Sequence, residues 1–141
     1  MKFIYALLLS LLFSFSVPAY AQANEDVWET LIVDKSKQFA HDLNIASIYF
    51  LNKTEFVFMH RVRFRKPINT GEVVFDTITV ISYGNCQTRQ TKMMEDYASL
   101  NDQVVAKNGL SPLDELKTPD ESTIHGLVLT GVCGKDPSFQ I

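Results

Sequence analysis

Glycine and proline are scarce in this chain, six and five residues among 141. That excludes a collagenous or low-complexity polymer, and no internal repeat is visible. Cationic excess is missing as well. Thirteen Lys and Arg against 16 Asp and Glu give a formal charge of -3, not the basic surplus of a dedicated nucleic-acid binder. No glycine-rich phosphate loop, G-x-S-x-G elbow or C-x-x-C pair occurs. The histidines are His41, His60 and His125, and they share no metal-ligand spacing. His41 and Asp42 adjoin, but neighbours on a strand point to opposite faces, which is a poor arrangement for a base and its orienting group. His60 falls among phenylalanines and reads as a half-buried structural residue. The expectation is a protein that is not an enzyme, with no catalytic residue, metal or cofactor.

The apolar residues that are present crowd the start of the chain. Lys2 precedes the run Phe3 to Val17, broken only by Ser10, Ser14 and Ser16, and Pro18 leads into Ala19-Tyr20-Ala21. This is the layout of a secretory signal peptide, and the run is too short and serine-rich for a membrane span. Cleavage is expected after Ala21, or after Ala23. Residues 1–21 are then address and residues 22–141 a single domain. That leaves 120 of the 141 residues, and loss of Lys2 takes the charge from -3 to -4. No cysteine stands near the site to carry a lipid. An exported protein without a lipid anchor or membrane span, periplasmic or secreted, follows.

Cys86 and Cys133 are the only cysteines. In an oxidising compartment an even count favours a disulfide, and two cysteines allow one intramolecular pairing. Closing so long a loop stabilises a fold by about 4 kcal/mol in the chain-entropy model.

Hydrophobic alternation predicts strands. Trp28 to Val33 is short, apolar and rich in β-formers, and Ile45 to Leu51 resumes an apolar run after the segment that starts at Phe39. Thr54 to Lys66 alternates most clearly. Phe56, Phe58, Val62 and Phe64 take one face with His60, while Val57, Met59, Arg61, Arg63 and Arg65 take the other. Pro67 is expected to end that strand, with a turn at Asn69-Thr70-Gly71. Glu72 to Tyr83, Thr88 to Tyr97 and Gln103 to Ala106 complete the set, with a hairpin turn at Asn101-Asp102 and packing roles for Met94 and Tyr97. After a loop from Lys107 to Lys117, Thr118-Pro119-Asp120-Glu121 forms a capping-box pattern that opens a helix. Ile124, Leu127, Val128 and Val132 follow at helical spacing, and Gly134 marks its end. The fold class expected is α+β: a mainly antiparallel meander with one C-terminal helix, stapled by one disulfide.

With these elements in place the chain resembles the surface-adhesin protein E family of small exported bacterial proteins. The resemblance rests on Trp28, the Asp42 to Ile48 segment, the strand leading into Asn85-Cys86, the Tyr97 to Val105 hairpin and Val132-Cys133. It implies an antiparallel sheet with one C-terminal helix, a Cys86–Cys133 bridge and a non-enzymatic role contacting host matrix or plasma proteins. The chain departs from the surface-anchored member in lacking a lipid-attachment cysteine, and its loop before the helix is acidic and has no Trp.

The most distinctive candidate binding residues are Arg61, Arg63, Arg65 and Lys66. Arginines at i, i+2 and i+4 place planar forks about 7 Å apart along one strand face, suited to carboxylate, sulfate or phosphate. The bland counterpart is a solvated face balanced by cross-strand acids such as Glu72 or Asp76. The function expected is an exported binding protein with a protein or acidic-polymer partner. A rival from another class is a periplasmic inhibitor of a hydrolase such as lysozyme or a protease, using the acidic residues Asp114, Glu115, Asp120 and Glu121. A structural envelope subunit is a third.

Overall fold

A computed structural model describes residues 27–108 and 115–134. The signal-peptide segment and Asp114 lie outside the described residues. Six strands follow one another: β1 (Trp28–Val33), β2 (Phe39–Phe50), β3 (Glu55–Asn69), β4 (Val74–Asn85), β5 (Gln90–Leu100) and β6 (Gln103–Lys107). A helix, α1 (Ile124–Cys133), closes the described chain. The strands form one sheet in sequence order, every neighbouring pair antiparallel, which is the expected meander.

Short turns make this order possible. Asn101 and Asp102 both adopt positive φ, 50° and 64°, as a two-residue primed hairpin between β5 and β6 requires. Gly71 at φ 88° and the Asn69 side chain, which accepts from the Gly71 N–H at 2.8 Å, turn β3 into β4. Asp34 does the same between β1 and β2, its Oδ1 accepting from Gln38 N at 2.7 Å. Pro67 does not end β3. It falls in the register break between Arg63 and Ile68, where its missing N–H costs no ladder bond. Phe39 and Ile45 belong to one strand rather than two, but between Asn44 and Tyr49 β2 has four residues against one on β3, three extra.

The alternation read from β3 sorts the sheet into two faces. Phe56 and Phe58, 0% and 1% exposed, meet Leu43 and the helix residues Ile124, Val128, Leu129 and Cys133 in the core. The helix begins later than its capping box suggests. Thr123, not Thr118, is the N-cap, and its hydroxyl accepts from Gly126 N. Thr118 instead belongs to an extended strap tied to β5, with Thr91 and Lys117 exchanging two backbone bonds at 2.9 and 3.0 Å. That strap crosses the helix so closely that a Cβ on Gly126 would collide with the Asp120 carbonyl oxygen. The buried stripe is correspondingly Ile124, Val128, Leu129 and Cys133, while Leu127 is exposed. Gly134 ends the helix at φ 77°, as its position predicts, and Arg89 Nη1 donates to its carbonyl at 2.6 Å. Met94 is likewise exposed rather than packed, at the register shift between Ile81 and Ser82 on β4.

Cys86 follows directly on β4, and Cys133 is the last residue of α1. They are bonded, with Cα atoms 5.3 Å apart. The bridge fastens the helix to the sheet at the point where its last turn would otherwise fray.

Candidate binding face

The sheet face away from α1 is built in rows by the strand register. One row runs Trp28, Asn44, Met59, Ile81, Glu95, and the next runs Thr30, Asp42, Arg61, Thr79, Tyr97. Val57 and Tyr83 pair in a third. Small polar groups lie at the bottom and large amphipathic side chains stand over them. Asp42, Asn44 and Thr79 are buried, whereas Trp28, Met59, Arg61, Tyr83 and Tyr97 are half-buried.

Asp42 organises this face. At 1% exposure it accepts from Thr30 Oγ1 and Arg61 Nε, both at 2.8 Å, and from Arg63 through Nε at 2.5 Å and Nη2 at 3.0 Å. One carboxylate therefore ties together β1, β2 and β3. Burial alone pushes its pKa up, but the Arg63, Arg61 and Thr30 donors outweigh that and hold it at about 2. The Arg63 pKa is raised in turn by its bond to Asp42. Arg61 is also clamped from above, its guanidinium carbon 4.1 Å from the centroid of the Trp28 ring.

The arginine row is thus not three equivalent forks. Arg61 and Arg63, with side chains 24% and 45% exposed, are held by Asp42, and neither Glu72 nor Asp76 is the balancing acid. Asp76 instead accepts from Asn101 N at 3.0 Å. Arg65 and Lys66 lie beyond the regular pairing and are exposed. Two arginines against Asp42 leave a positive charge in this cluster, with exposed Glu95 in the neighbouring row and Arg65 and Lys66 further along β3. The sequence reading weighed Asp42 only beside His41 and missed its pairing with the arginines, because nothing local points to it. The one available signal was an acid at the position of β2 opposite a β3 arginine, and that requires the register.

A second polar cluster lies under the helix. His60 and His125, 65 residues apart, bring their Nε2 atoms within 3.0 Å, and Ser82 Oγ is 3.2 and 3.1 Å from them. Thr91 Oγ1 sits 2.8 Å from His125 Nδ1. His60 Nδ1 is buried without a partner, and a bare lone pair there costs less than a stranded N–H. His60 therefore carries its proton on Nε2 and donates to Ser82 Oγ, whose hydroxyl donates in turn to the one lone pair of His125 Nε2. His125 then donates from Nδ1 to Thr91, and the cluster is neutral. Burial, helped by the charges that His125 and His41 would carry, pushes His60 down to about 3, and burial pushes His125 down to about 4. The order hydroxyl, imidazole, hydroxyl resembles a nucleophile with its base, but Ser82 is 0% and His60 4% exposed. Two clefts of about 370 and 300 Å³ flank the strap; the smaller is lined by Thr91 and His125, but neither is lined by Ser82 or His60. The cluster has the geometry of an internal hydrogen-bond network. Among the described residues no group of three or more His, Cys, Asp or Glu could hold a metal ion.

His60 is more deeply buried than its position suggested. His41 and Asp42 do point apart, Asp42 to the open face and His41 towards Phe39 at 5.5 Å between ring centroids. Of the acidic residues before the helix, Glu115, Asp120 and Glu121 are exposed, and the Asp120 carboxylate is taken up by Ser122 N at 2.8 Å and Oγ at 2.6 Å. No family model, curated protein or solved structure matches this chain.

Proposed function

We propose that this protein is an exported, non-enzymatic binding protein that engages a protein or acidic-polymer partner through the open face of its sheet. The observation that carries the reading is the Asp42 clamp. It fixes Arg61 beneath Trp28 and Arg63 beside Thr30, with Tyr83 and Tyr97 on the same face. Trp, Tyr and Arg supply most interface hot spots, and side chains already ordered lose little freedom on binding. The disulfide fits an oxidising compartment, and no helix among the described residues is long and apolar enough to cross a membrane. The resemblance to surface-adhesin protein E adds the kind of partner, host matrix or plasma proteins.

The test is retention of the protein on immobilised heparin and on a basement-membrane extract across a salt series. Retention is expected to weaken with salt. It should also fall in Arg65→Ala/Lys66→Ala, whose targets are exposed, and further in Trp28→Ala. Equal retention of both variants and wild type would overturn the reading. Stoichiometric inhibition of lysozyme or a protease, without retention on either matrix, would move it to the hydrolase-inhibitor class.

A further inference from the structure

The polar network under α1 meets solvent at the place where the strap is fastened. His60 and Ser82 are buried on β3 and β4, but His125 and Thr91 line the cleft of about 300 Å³ beside the strap. Thr91 serves both structures. Its backbone exchanges two hydrogen bonds with Lys117 of the strap, and its hydroxyl accepts from His125 Nδ1 at 2.8 Å. His125 is the second residue of α1, and the next residue, Gly126, lies hard against the Asp120 and Glu121 backbone. The strap and the first turn of the helix therefore move as one piece. The other end of the helix is anchored separately, by the Cys86–Cys133 bridge and by Arg89 on the Gly134 carbonyl.

A second proton on His125 undoes this arrangement. Its Nε2 becomes a donor that points at Ser82 Oγ, 3.1 Å away, and at the His60 Nε2–H, 3.0 Å away. Were Ser82 to accept from both rings, its own hydroxyl proton would lose its partner in a site 0% exposed. A charge on the first turn of α1 also meets the positive end of the helix dipole. The surrounding groups do not compensate. Across the cleft, Glu115 and Asp120 of the strap are matched by Lys117 and by Lys92 of β5, and Asp120 is already bonded to Ser122. β3 and β4 present Phe58, His60 and Ser82 to the ring. The buried acid Asp96 is five residues along β5 from Thr91, about 16 Å, and His41 on β2 adds a like charge near His60 when protonated. Burial already holds His125 down at about 4. We infer that His125 is the trigger of an acid-opened clasp: on protonation the strap and the first turn of α1 lift from β4 and β5, pivoting on the Cys86–Cys133 bridge, while the sheet keeps its open face. The device is separate from the binding face proposed above, and its opening bares Phe58 and Ile124 of the core.

Hydrogen exchange on the disulfide-intact protein tests this, read as protection factors so that the intrinsic pH dependence of exchange cancels. Lys117 N, bonded to Thr91 O, reports the strap, and Leu127 N, bonded to Thr123 O, reports the first turn. Between pH 6.5 and 4 the opening they sense should rise by up to ~300-fold through His125 alone, the factor for a group at about 4 when closed and 6.5 when open. Gly134 N, beside the bridge, and the amides around Asp42 should keep their protection. His125→Gln, with no ring to titrate, should lose that part of the rise. Should the variant not fold, the wild-type His125 ring is titrated by NMR, and its midpoint should lie well below 6.5 and coincide with the loss at Lys117. The inference is overturned by protection at Lys117 and Leu127 that ignores pH, or by a loss shared equally with Gly134 and the Asp42 region. An equal rise in His125→Gln, or a ring midpoint near 6.5, overturns it as well.

Discussion

The two faces of the sheet each bury polar side chains, yet they solve the problem in opposite ways. Under the helix, His60, Ser82, His125 and Thr91 form a neutral network with its protons placed inward. On the open face, Asp42 stays charged because two guanidiniums and a hydroxyl surround it. A neutral network suits a site closed off from water, since an unpaired charge there would be expensive. An ion pair with half-exposed arginines keeps charge at the surface and orders it. One face is therefore a core and the other a charged, partly hydrated surface.

This contrast is open to experiment, most severely through the bridge that holds the helix over its face. Cys86→Ser/Cys133→Ser is expected to cost about 4 kcal/mol in urea unfolding. It should raise hydrogen exchange in α1 while leaving the amides around Asp42 protected. Equal loss of protection on both faces would show that they are not separate structures. Next in size, Asp42→Ala should cost about 3 kcal/mol, near the lower end for a broken buried pair, because Arg61 and Arg63 retain exposure and rehydrate. A cost below about 1 kcal/mol would mean the clamp is no more than a surface ion pair.

Acid should separate the faces at smaller amplitude. His60 and His125 titrate at about 3 and 4 when folded and near 6.5 when unfolded. Their contribution is fully present above pH 6.5 and is lost as pH falls towards 4 and then 3. The slope is up to about 1.4 kcal/mol per pH unit for each histidine. Asp42, lowered from 3.8 to about 2, contributes above pH 3.8 and loses that contribution only between there and pH 2. His60→Leu should therefore flatten the stability profile between pH 6.5 and 4 and leave the decline below 3.8 in place. An unchanged slope above pH 4 would refute the neutral histidine network.

Much of the fold was legible because its signals are local. Runs of apolar and β-forming residues between turns located the strands, and period-two alternation in β3 assigned Phe56 and Phe58 inward and Arg61 and Arg63 outward. Asn101-Asp102 announced its hairpin, and Gly134 the end of the helix. The helix start was misjudged because a capping pattern at Thr118 competes with the strap's backbone pairing to Thr91, a contact far away in sequence. The candidate face was half legible. The arginines were visible as a row, but Asp42 and Trp28 join them only through the pairing of three strands.

The sequence by itself determined the strand faces, the turns and, through two cysteines alone, the single crosslink available to the chain. Each depends on side-chain chemistry over a few residues or on a count. Tertiary structure decided which charges are free and which are spent. Whether an arginine meets a partner or a buried aspartate, and whether three scattered histidines stay apart or two of them meet in one hydrogen-bond network, depends on register between strands and on where a helix lands. Those are long-range packing outcomes, and no local pattern encodes them.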